Sequence, residues 1–292
     1  MPSIDSYRAS EMSDVLSRFC RLGVNSAEAI RWACVLEATA PKAGNVFPGR
    51  SFDNLTYTDF VIAAEIASRE LTAEDKPFPE RMLETVLQTA KSVGSNVNLG
   101  IVLLLGPLVE ADRQRNSNQW QTAIQDVLDS LDGTDGQTIF QTIAAASPGG
   151  LGSVESNDVV ETFGPVNIVQ AMAEAANRDR IARQYATNFN DLITSVIPIV
   201  RESIDTTGDV LTGISRAHLR LLAAEPDSLI ARKCGLDFAI QVRDRAAQIN
   251  IDDPAQVERF DRWLRTDRHR RNPGTTADLI AASLYLILRN NE

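Results

Sequence analysis

Cysteine and histidine are scarce in this sequence, which has three cysteines and two histidines among 292 residues. Cys20, Cys34 and Cys234 lie far apart and form no C-x-x-C pair, so the sequence supports neither a disulfide framework nor a zinc site. A Ser-His-Asp triad would have to use His218 or His269, and no G-x-S-x-G element is present. Unpaired cysteines are typical of a reducing compartment, and we expect a cytoplasmic protein.

Long apolar runs and concentrated positive charge are missing as well. The most apolar stretch, 99–111, is interrupted by Gly106-Pro107 and is too short to span a bilayer. The N-terminus lacks the basic segment followed by an apolar segment that marks a signal peptide. The formal net charge is −10, whereas nucleic acids and anionic membrane surfaces attract basic proteins. We therefore predict neither a nucleic-acid partner nor a membrane partner and expect small-molecule ligands.

What the chain does contain is helical periodicity along almost its whole length. In segment 25–40, Asn25 and Glu28 have the spacing of a capping box, and apolar residues follow at intervals of three and four. No alternating segment bounded by a hairpin turn is present. Similar helical segments are 58–71, 79–93, 117–131, 136–146, 166–177, 179–186, 189–204, 208–224, 235–249, 254–268 and 275–289.

These segments predict an all-α protein. We expect a single large multi-helix globular domain at 25–292, preceded by an N-terminal extension and first helix at 1–24. Much of the glycine and proline lies in the loops between the helices, and a connection alone does not require that concentration. An acidic protein can still bind an anionic small molecule where its few cations converge. The loops in question are 41–57, 94–98, 147–158, 225–235 and 269–276.

Loop 41–54 combines cations, glycines, an amide and a carboxylate. Its glycines let the backbone approach a ligand, and its charges suit a phosphate chain that carries Mg²⁺. The alternative is an ordinary Pro/Gly connection with solvated charges. No G-x-x-x-x-G-K-[ST] loop exists in the chain. The residues of interest are Lys42, Gly44, Asn45, Gly49, Arg50 and Asp53.

Two further loops are rich in glycine and asparagine. In GSNVNLG (94–100), either Asn96 or Asn98 can cap the helix that follows, and the other is then available to hydrogen-bond a ligand. Exposed amides at this helix start would favour an anion. SPGGLG (147–152), with Asp158 nearby, offers either a flexible backbone next to a ligand or only a tight turn between helices.

The last two loops add charged groups. In PDSLIARKCG (226–235), Asp227 and Ser228 stand at a helix start, and Arg232 and Lys233 follow after one turn. A carboxylate and two cations could therefore share a pocket, although a capping aspartate with a solvated basic turn is the alternative. Asp278, after NPGTT, is either another site carboxylate or a residue that complements the helix dipole.

Taken in order, five stretches resemble the motifs of the triphosphoribosyl-dephospho-CoA synthase family (ATP:dephospho-CoA triphosphoribosyl transferases). Each is unspecific alone, but the five in order are fairly specific, and the resemblance extends from near residue 25 to the C-terminus. SPGGLG together with RIARQY (180–185) makes the archaeal-type branch the fuller match. The five are EATAPKAGN (37–45), GSNVNLG (94–100), SPGGLG (147–152), PDSLIARKCG (226–235) and NPGTTADL (272–279).

The resemblance implies an all-helical transferase that joins ATP to 3′-dephospho-CoA, releases adenine and uses Mg²⁺. Carried onto this sequence, it implies catalytic roles for Glu37, Asp53 and Asp227 and metal binding by Asp227 and Asp278. Contacts to the nucleotide and its phosphates would come from Lys42, Gly44, Asn45, Arg50, Asn96, Asn98, Ser228, Arg232 and Lys233.

The sequence also departs from the family pattern. Where the family has Lys-Pro-Gly and His-Asp, this chain has Lys-Ala-Gly at 42–44 and Phe-Asp at 52–53. The pattern G-x-N-T-H-K-G reads GSNVNLG at 94–100, without its histidine and lysine, and Cys234-Gly235 replaces a Gly-Gly pair. Two alternatives therefore stay open: a related nucleotide-dependent transferase in one-carbon pterin (tetrahydromethanopterin-like) cofactor biosynthesis, and a non-catalytic helical binding protein. A homodimer is compatible with each.

Overall fold

The computed structural model describes residues 14–115, 119–146 and 165–290. Over these ranges the chain forms fifteen α-helices and, apart from two isolated bridges, no β-structure, which confirms the predicted all-α fold. A π-helical turn, Leu192–Val196, leads directly into α10. The helices are α1 (Asp14–Cys20), α2 (Ser26–Thr39), α3 (Tyr57–Glu70), α4 (Phe78–Val93), α5 (Leu99–Gln114), α6 (Trp120–Asp129), α7 (Gly133–Ala146), α8 (Ile168–Ala175), α9 (Arg180–Ala186), α10 (Ile197–Thr207), α11 (Val210–Ala224), α12 (Ser228–Cys234), α13 (Leu236–Ala247), α14 (Pro254–Arg265) and α15 (Gly274–Arg289).

Local sequence signals start and end several helices. The side chain of Asn25 accepts a hydrogen bond from the Glu28 N–H at 2.9 Å, which satisfies one free donor at the start of α2. Gly94 and Gly208 have φ angles of 79° and 65° and end α4 and α10. Glycine adopts the left-handed backbone conformation at a helix end without steric cost, because it lacks a Cβ atom.

The two central helices, α5 and α15, are apolar on nearly every side. Residues 101–109 of α5 and residues 279–288 of α15 are all buried, and the two helices pack against each other. Each fully buried leucine or isoleucine contributes about 1.5–3 kcal/mol to stability. This packing holds the starts of both helices in a fixed relation. None of the helices in the described ranges is long and apolar enough to cross a membrane.

A second apolar cluster lies beneath the loop that follows α2. Ala43 of this loop packs with Leu222 of α11 and Leu264 of α14. Gly44 has a φ angle of 78°, and a Cβ atom there would collide with Leu264 and Pro273. The cluster therefore holds the loop that follows α2 in place, with α14 on one side of it and the start of α15 on the other.

The structure differs from the predicted segments in two places. Segment 225–235, predicted as a loop, contains the seven-residue helix α12. Two turns are too short for the apolar periodicity that identifies longer helices. Segment 189–204, predicted as one regular helix, contains the π-helical turn, and its first residue, Phe189, has a positive φ angle, as does Asn188 before it.

Candidate functional site

A cleft of about 1480 Å³ lies where α5, α9, α12 and α15 begin. The first N–H groups of a helix have no partner within the helix and carry partial positive charge. The two long helices, α5 and α15, are also fixed by their packing in the core. At α15 the Thr276 N–H already donates to Asp227 and the Gly274 N–H to Asn272, so the start of α5 is the one that provides a preformed environment for an anion.

The predicted loops converge on this cleft. Loops 41–57, 94–98, 225–235 and 269–276 all contribute to its lining. The remaining loop, 147–158, with SPGGLG and Asp158, lies outside the described residues. The predicted site residues that line the cleft are Glu37, Asn45, Asn96, Ser228, Arg232, Lys233 and Asp278.

Asp278, in the second turn of α15, faces the cleft and has no hydrogen bond or ion pair to any described residue. Its carboxylate lies against Gly100 of α5, where a methyl group would overlap it. Burial, and then the neighbouring charge of Glu37, raise the pKa of Asp278 well above its ordinary value. A carboxyl group with a raised pKa and no partner is suited to accept a proton or to bind a cation.

Glu37, near the end of α2, lines the cleft and forms a buried ion pair with Lys42. Lys42 Nζ lies 2.9 Å from Glu37 Oε1, and the side chains of Lys42 and Glu37 are 0% and 5% exposed. Lys42 Nζ also donates to the main-chain carbonyl of Glu37. Lys42 was predicted to contact phosphate directly. The structure places it behind the lining, where it neutralises and orients Glu37.

Asp227 caps two helices at once. Its Oδ1 accepts hydrogen bonds from the N–H groups of Leu229 and Ile230 at 2.9 and 3.0 Å. Its Oδ2 accepts from the N–H and the hydroxyl of Thr276, both at 2.8 Å. A carboxylate offers about four lone-pair sites, and Asp227 is only 3% exposed. A metal or substrate would have to displace one of these bonds, so the predicted catalytic and metal-binding roles are not supported. Asp227 joins the starts of α12 and α15.

The two asparagines before α5 have different environments. Asn96 Oδ1 accepts from the N–H groups of Asn98 and Leu99 at 3.3 and 3.0 Å, so Asn96 supplies the side-chain acceptor at the helix start, whereas Asn98 occupies the N-cap position without a side-chain bond to the helix. Both amide atoms of Asn98 are buried and have no hydrogen-bond partner among the described residues. A buried amide without a partner is unfavourable, and a ligand or an ordered water would satisfy it.

Positive charge enters the cleft from α12. Arg232 Nη1 lies 3.2 Å from Asp179, whereas no carboxylate of the described residues pairs with Lys233. Burial and the nearby Arg232 lower the pKa of Lys233. Arg178 and Arg270 also line the cleft. Arg232 pairs with Asp179 and Arg270 with Asp267, so within the described residues Lys233 and Arg178 are the cations of this group that pair with no carboxylate and remain available to an anion.

Asn45 and Ser228 connect loops at the cleft surface. Asn45 Nδ2 donates to Asn272 Oδ1 at 2.5 Å, and Asn45 Oδ1 has no partner within the described ranges. The hydroxyl of Ser228 accepts from the Arg180 N–H at 3.3 Å and bonds to Thr275 Oγ1 at 3.1 Å. Both residues therefore hold the cleft wall together, and Asn45 retains an acceptor for a ligand.

Besides Lys42, three predicted residues of loop 41–54 lie outside the lining. Arg50 Nη2 donates to Glu258 at 2.6 Å and ties the loop to α14. The Gly44 N–H donates to Asp261 at 2.7 Å. Asp53 is exposed at a turn. Arg50 and Gly44 are thus bonded to α14 and not directed at the phosphate contacts predicted for them, and Asp53, for which a catalytic role was predicted, does not line the cleft.

The ion network at the start of α9 was not predicted from the sequence. Arg180 Nε lies 2.8 Å from Asp191 and 3.2 Å from Glu225, and Arg183 also pairs with Glu225. Arg180, Arg183 and Glu225 line the cleft. The available signal was RIARQY, which matches a family motif but lies inside a helical segment and not in a loop.

The two histidines lie in different places. His218 is completely buried in α11, and burial, with a contribution from Lys42, lowers its pKa to about 3. It does not line the cleft. His269 does line the cleft, and burial and the charge of Lys233 lower its pKa.

Comparison with known proteins agrees with the motifs. The family model described as ATP:dephospho-CoA triphosphoribosyl transferase matches residues 24–292. No curated protein sequence gives a significant match. The crystal structure of an Archaeoglobus fulgidus protein, provisionally described as triphosphoribosyl-dephospho-CoA synthase, has a similar fold. Its TM-score is 0.64 at 22% identity, over 79% of this chain and 98% of that chain. Because the family model covers nearly the whole sequence, this chain belongs to the ATP:dephospho-CoA triphosphoribosyl transferase family.

Proposed function

We propose that the protein transfers the triphosphoribosyl group of ATP to a hydroxyl of 3′-dephospho-CoA and releases adenine. The family description names both substrates. The observation that carries the proposal is the unpartnered carboxylate of Asp278, which shares one cleft with Lys233 and the starts of two long helices. The carboxylate can take the proton of the acceptor hydroxyl, and the positive groups can bind the triphosphate.

The triphosphate would lie against the start of α5, beside Arg232 and Lys233. Mg²⁺ in nucleotide sites is usually held by one or two carboxylates together with the phosphates. Glu37 supplies such a carboxylate, with Asp278 as the alternative ligand if it is not the base, and no group of three or more potential ligands is present in the described ranges. These few protein ligands therefore fit a Mg²⁺ ion that arrives bound to the nucleotide. Such an ion would neutralise phosphate charge.

The transfer needs one proton acceptor and stabilisation of positive charge. A bond forms between the acceptor oxygen and C1 of the donor ribose while the bond from C1 to N9 of adenine breaks. Oxocarbenium-like charge on the ribose would be stabilised by the Glu37 carboxylate, which Lys42 holds in place. Asp278 would take the proton of the acceptor hydroxyl. The leaving adenine takes a proton from water.

The direct test is to incubate the protein with ATP, Mg²⁺ and 3′-dephospho-CoA and to follow adenine by chromatography. One adenine should appear for each triphosphoribosylated acceptor, identified by mass spectrometry. ADP or pyrophosphate without adenine would contradict the proposal. If neither adenine nor any magnesium-dependent heat of ATP binding is found, the non-catalytic alternative is favoured.

A pterin-pathway acceptor remains the second candidate. Val97 and Leu99 line the cleft at positions where the family pattern has threonine and lysine. This wall is therefore less polar than the family pattern implies, which would suit a flatter and less charged acceptor. Adenine release with a pterin-pathway acceptor and not with dephospho-CoA would decide for this candidate.

Lys233→Met is expected to weaken ATP binding by about tenfold or more. A hydrogen bond to a charged group contributes about 1.5–3 kcal/mol, and Lys233 has no carboxylate in the described residues to satisfy its charge. Calorimetric titration of ATP with Mg²⁺ measures the effect. Lys91→Met is the control, because Lys91 is an exposed lysine of α4 that does not line the cleft. Equal affinities of the two variants would remove Lys233 from the phosphate site.

Gly100→Ala is expected to reduce turnover by up to about 10²-fold, because the added methyl group would displace the Asp278 carboxylate. Adenine release and the denaturant midpoint should be measured together. Gly106→Ala is the matched control on the same helix. Its methyl group would meet the flexible side chain of Met82, so stability should fall while turnover is retained. Equal turnover in both variants would count against a role for Asp278.

A further inference from the structure

The cleft has two chemically different halves. The polar half contains the charged residues of α9, α12 and the segment before α15. The apolar half is formed by α5, α7 and α8, and these three helices contribute a single ionisable lining residue, Glu174, within the described ranges. Side chains that define the apolar half are Ile101, Leu103, Phe140, Ile143, Ala171 and Met172.

The volume of the cleft indicates more than one ligand. Pockets for compact ligands usually measure about 300–1000 Å³, whereas this cleft measures about 1480 Å³. A nucleotide triphosphate matches the charges of the polar half and has no chain to place along the apolar half. The proposed reaction requires a second substrate beside the first, with its hydroxyl near Asp278. The apolar half is continuous with that position, because Gly100 and Ile101 of α5 connect the two.

We infer that the apolar half binds the pantetheine arm of the acceptor. This inference rests on the proposed function. Dephospho-CoA consists of adenosine diphosphate joined to a long arm of methyl, methylene and amide groups that ends in a thiol. With the ribose hydroxyl at Asp278, the arm runs between α7 and α8, and its apolar groups leave water. The arm, and not the nucleotide part, then sets the preference for this acceptor.

Bulky substitutions in the two walls test the assignment. Ala144→Phe in α7 and Ala175→Phe in α8 place a ring in the apolar half, at half-buried lining positions. Gln141→Phe adds the same ring to an exposed position of α7 outside the lining. The Kd and KM of dephospho-CoA should rise at least tenfold in the two lining variants and stay unchanged in the control. ADP, which is dephospho-CoA without the arm, should bind equally to all of them.

Failure of the inference can be told apart from failure of the proposed function. The inference is overturned if the lining variants bind dephospho-CoA as tightly as Gln141→Phe does. These are equilibrium measurements and need no turnover. Absence of adenine release from wild-type protein, despite binding that depends on the arm, would overturn the transfer reaction and leave the arm site in place. Unchanged ATP affinity shows that the variants keep the polar half intact.

Discussion

Asp278→Asn is expected to reduce turnover by about 10²–10⁴-fold while ATP still binds, because general-base catalysis contributes an effect of this size. The amide has nearly the same shape as the carboxyl group and cannot take the proton of the acceptor hydroxyl. Asp278 has no hydrogen bond to a described residue that the change would break. Adenine release and ATP affinity should be measured on the same preparation.

The control for this change is Asp237→Asn, which alters an exposed carboxylate of α13 outside the cleft lining. Its turnover should match that of the wild type. If Asp278→Asn instead keeps its turnover and loses only the magnesium dependence of ATP binding, Asp278 is a metal ligand and not the base.

The pH dependence gives an independent readout. Because the base acts in its deprotonated form, kcat/KM should fall as the pH decreases through the pKa of Asp278. That pKa is raised by burial and by Glu37, so the acidic limb should lie above the ordinary value of about 3.9 for an aspartate. The same limb should be missing from the residual activity of Asp278→Asn.

Lys42→Met is expected to lower the free energy of unfolding by about 3–5 kcal/mol, because it leaves the buried Glu37 carboxylate without its counter-ion. Both side chains of this pair are almost fully buried. Urea denaturation at neutral pH gives the change. The double variant Lys42→Met/Glu37→Gln should recover part of the loss, since it removes the stranded charge as well.

A surface ion pair serves as the comparison. Arg220 Nη2 lies 2.7 Å from Glu202, and the two side chains are 41% and 61% exposed. Arg220→Met should therefore lower stability by no more than about 1 kcal/mol. A loss of similar size for Lys42→Met would show that water reaches the Glu37 pair and that burial does not hold it in place.

The helical fold could be predicted from the sequence because apolar residues recur at a regular spacing in long segments. The same property explains what was missed. The seven-residue helix α12 is too short to show a period. Asp227, directly before it, has the same sequence context whether it caps a helix or binds a metal. Only the positions of the four donors around its oxygens distinguish these cases.

The convergence of the loops could be expected from their composition. The carboxylate with which each cation of these loops pairs could not. Lys42 and Arg50 are both cations in one glycine-containing loop. The structure directs the first to Glu37, five residues earlier, and the second to Glu258, 208 positions later. Neither pairing follows from local spacing. Asp278 is the converse case, since the role proposed for it rests on the partners that it lacks.

The burial of α15 determines how the site can move. Amide hydrogens in residues 279–288 lie inside the core and should exchange with solvent only when the whole molecule opens. Asp278 directly precedes this slowly exchanging segment, so the helical turn that carries its carboxylate should not fray independently of the core. Thermal inactivation and global melting should then follow one transition.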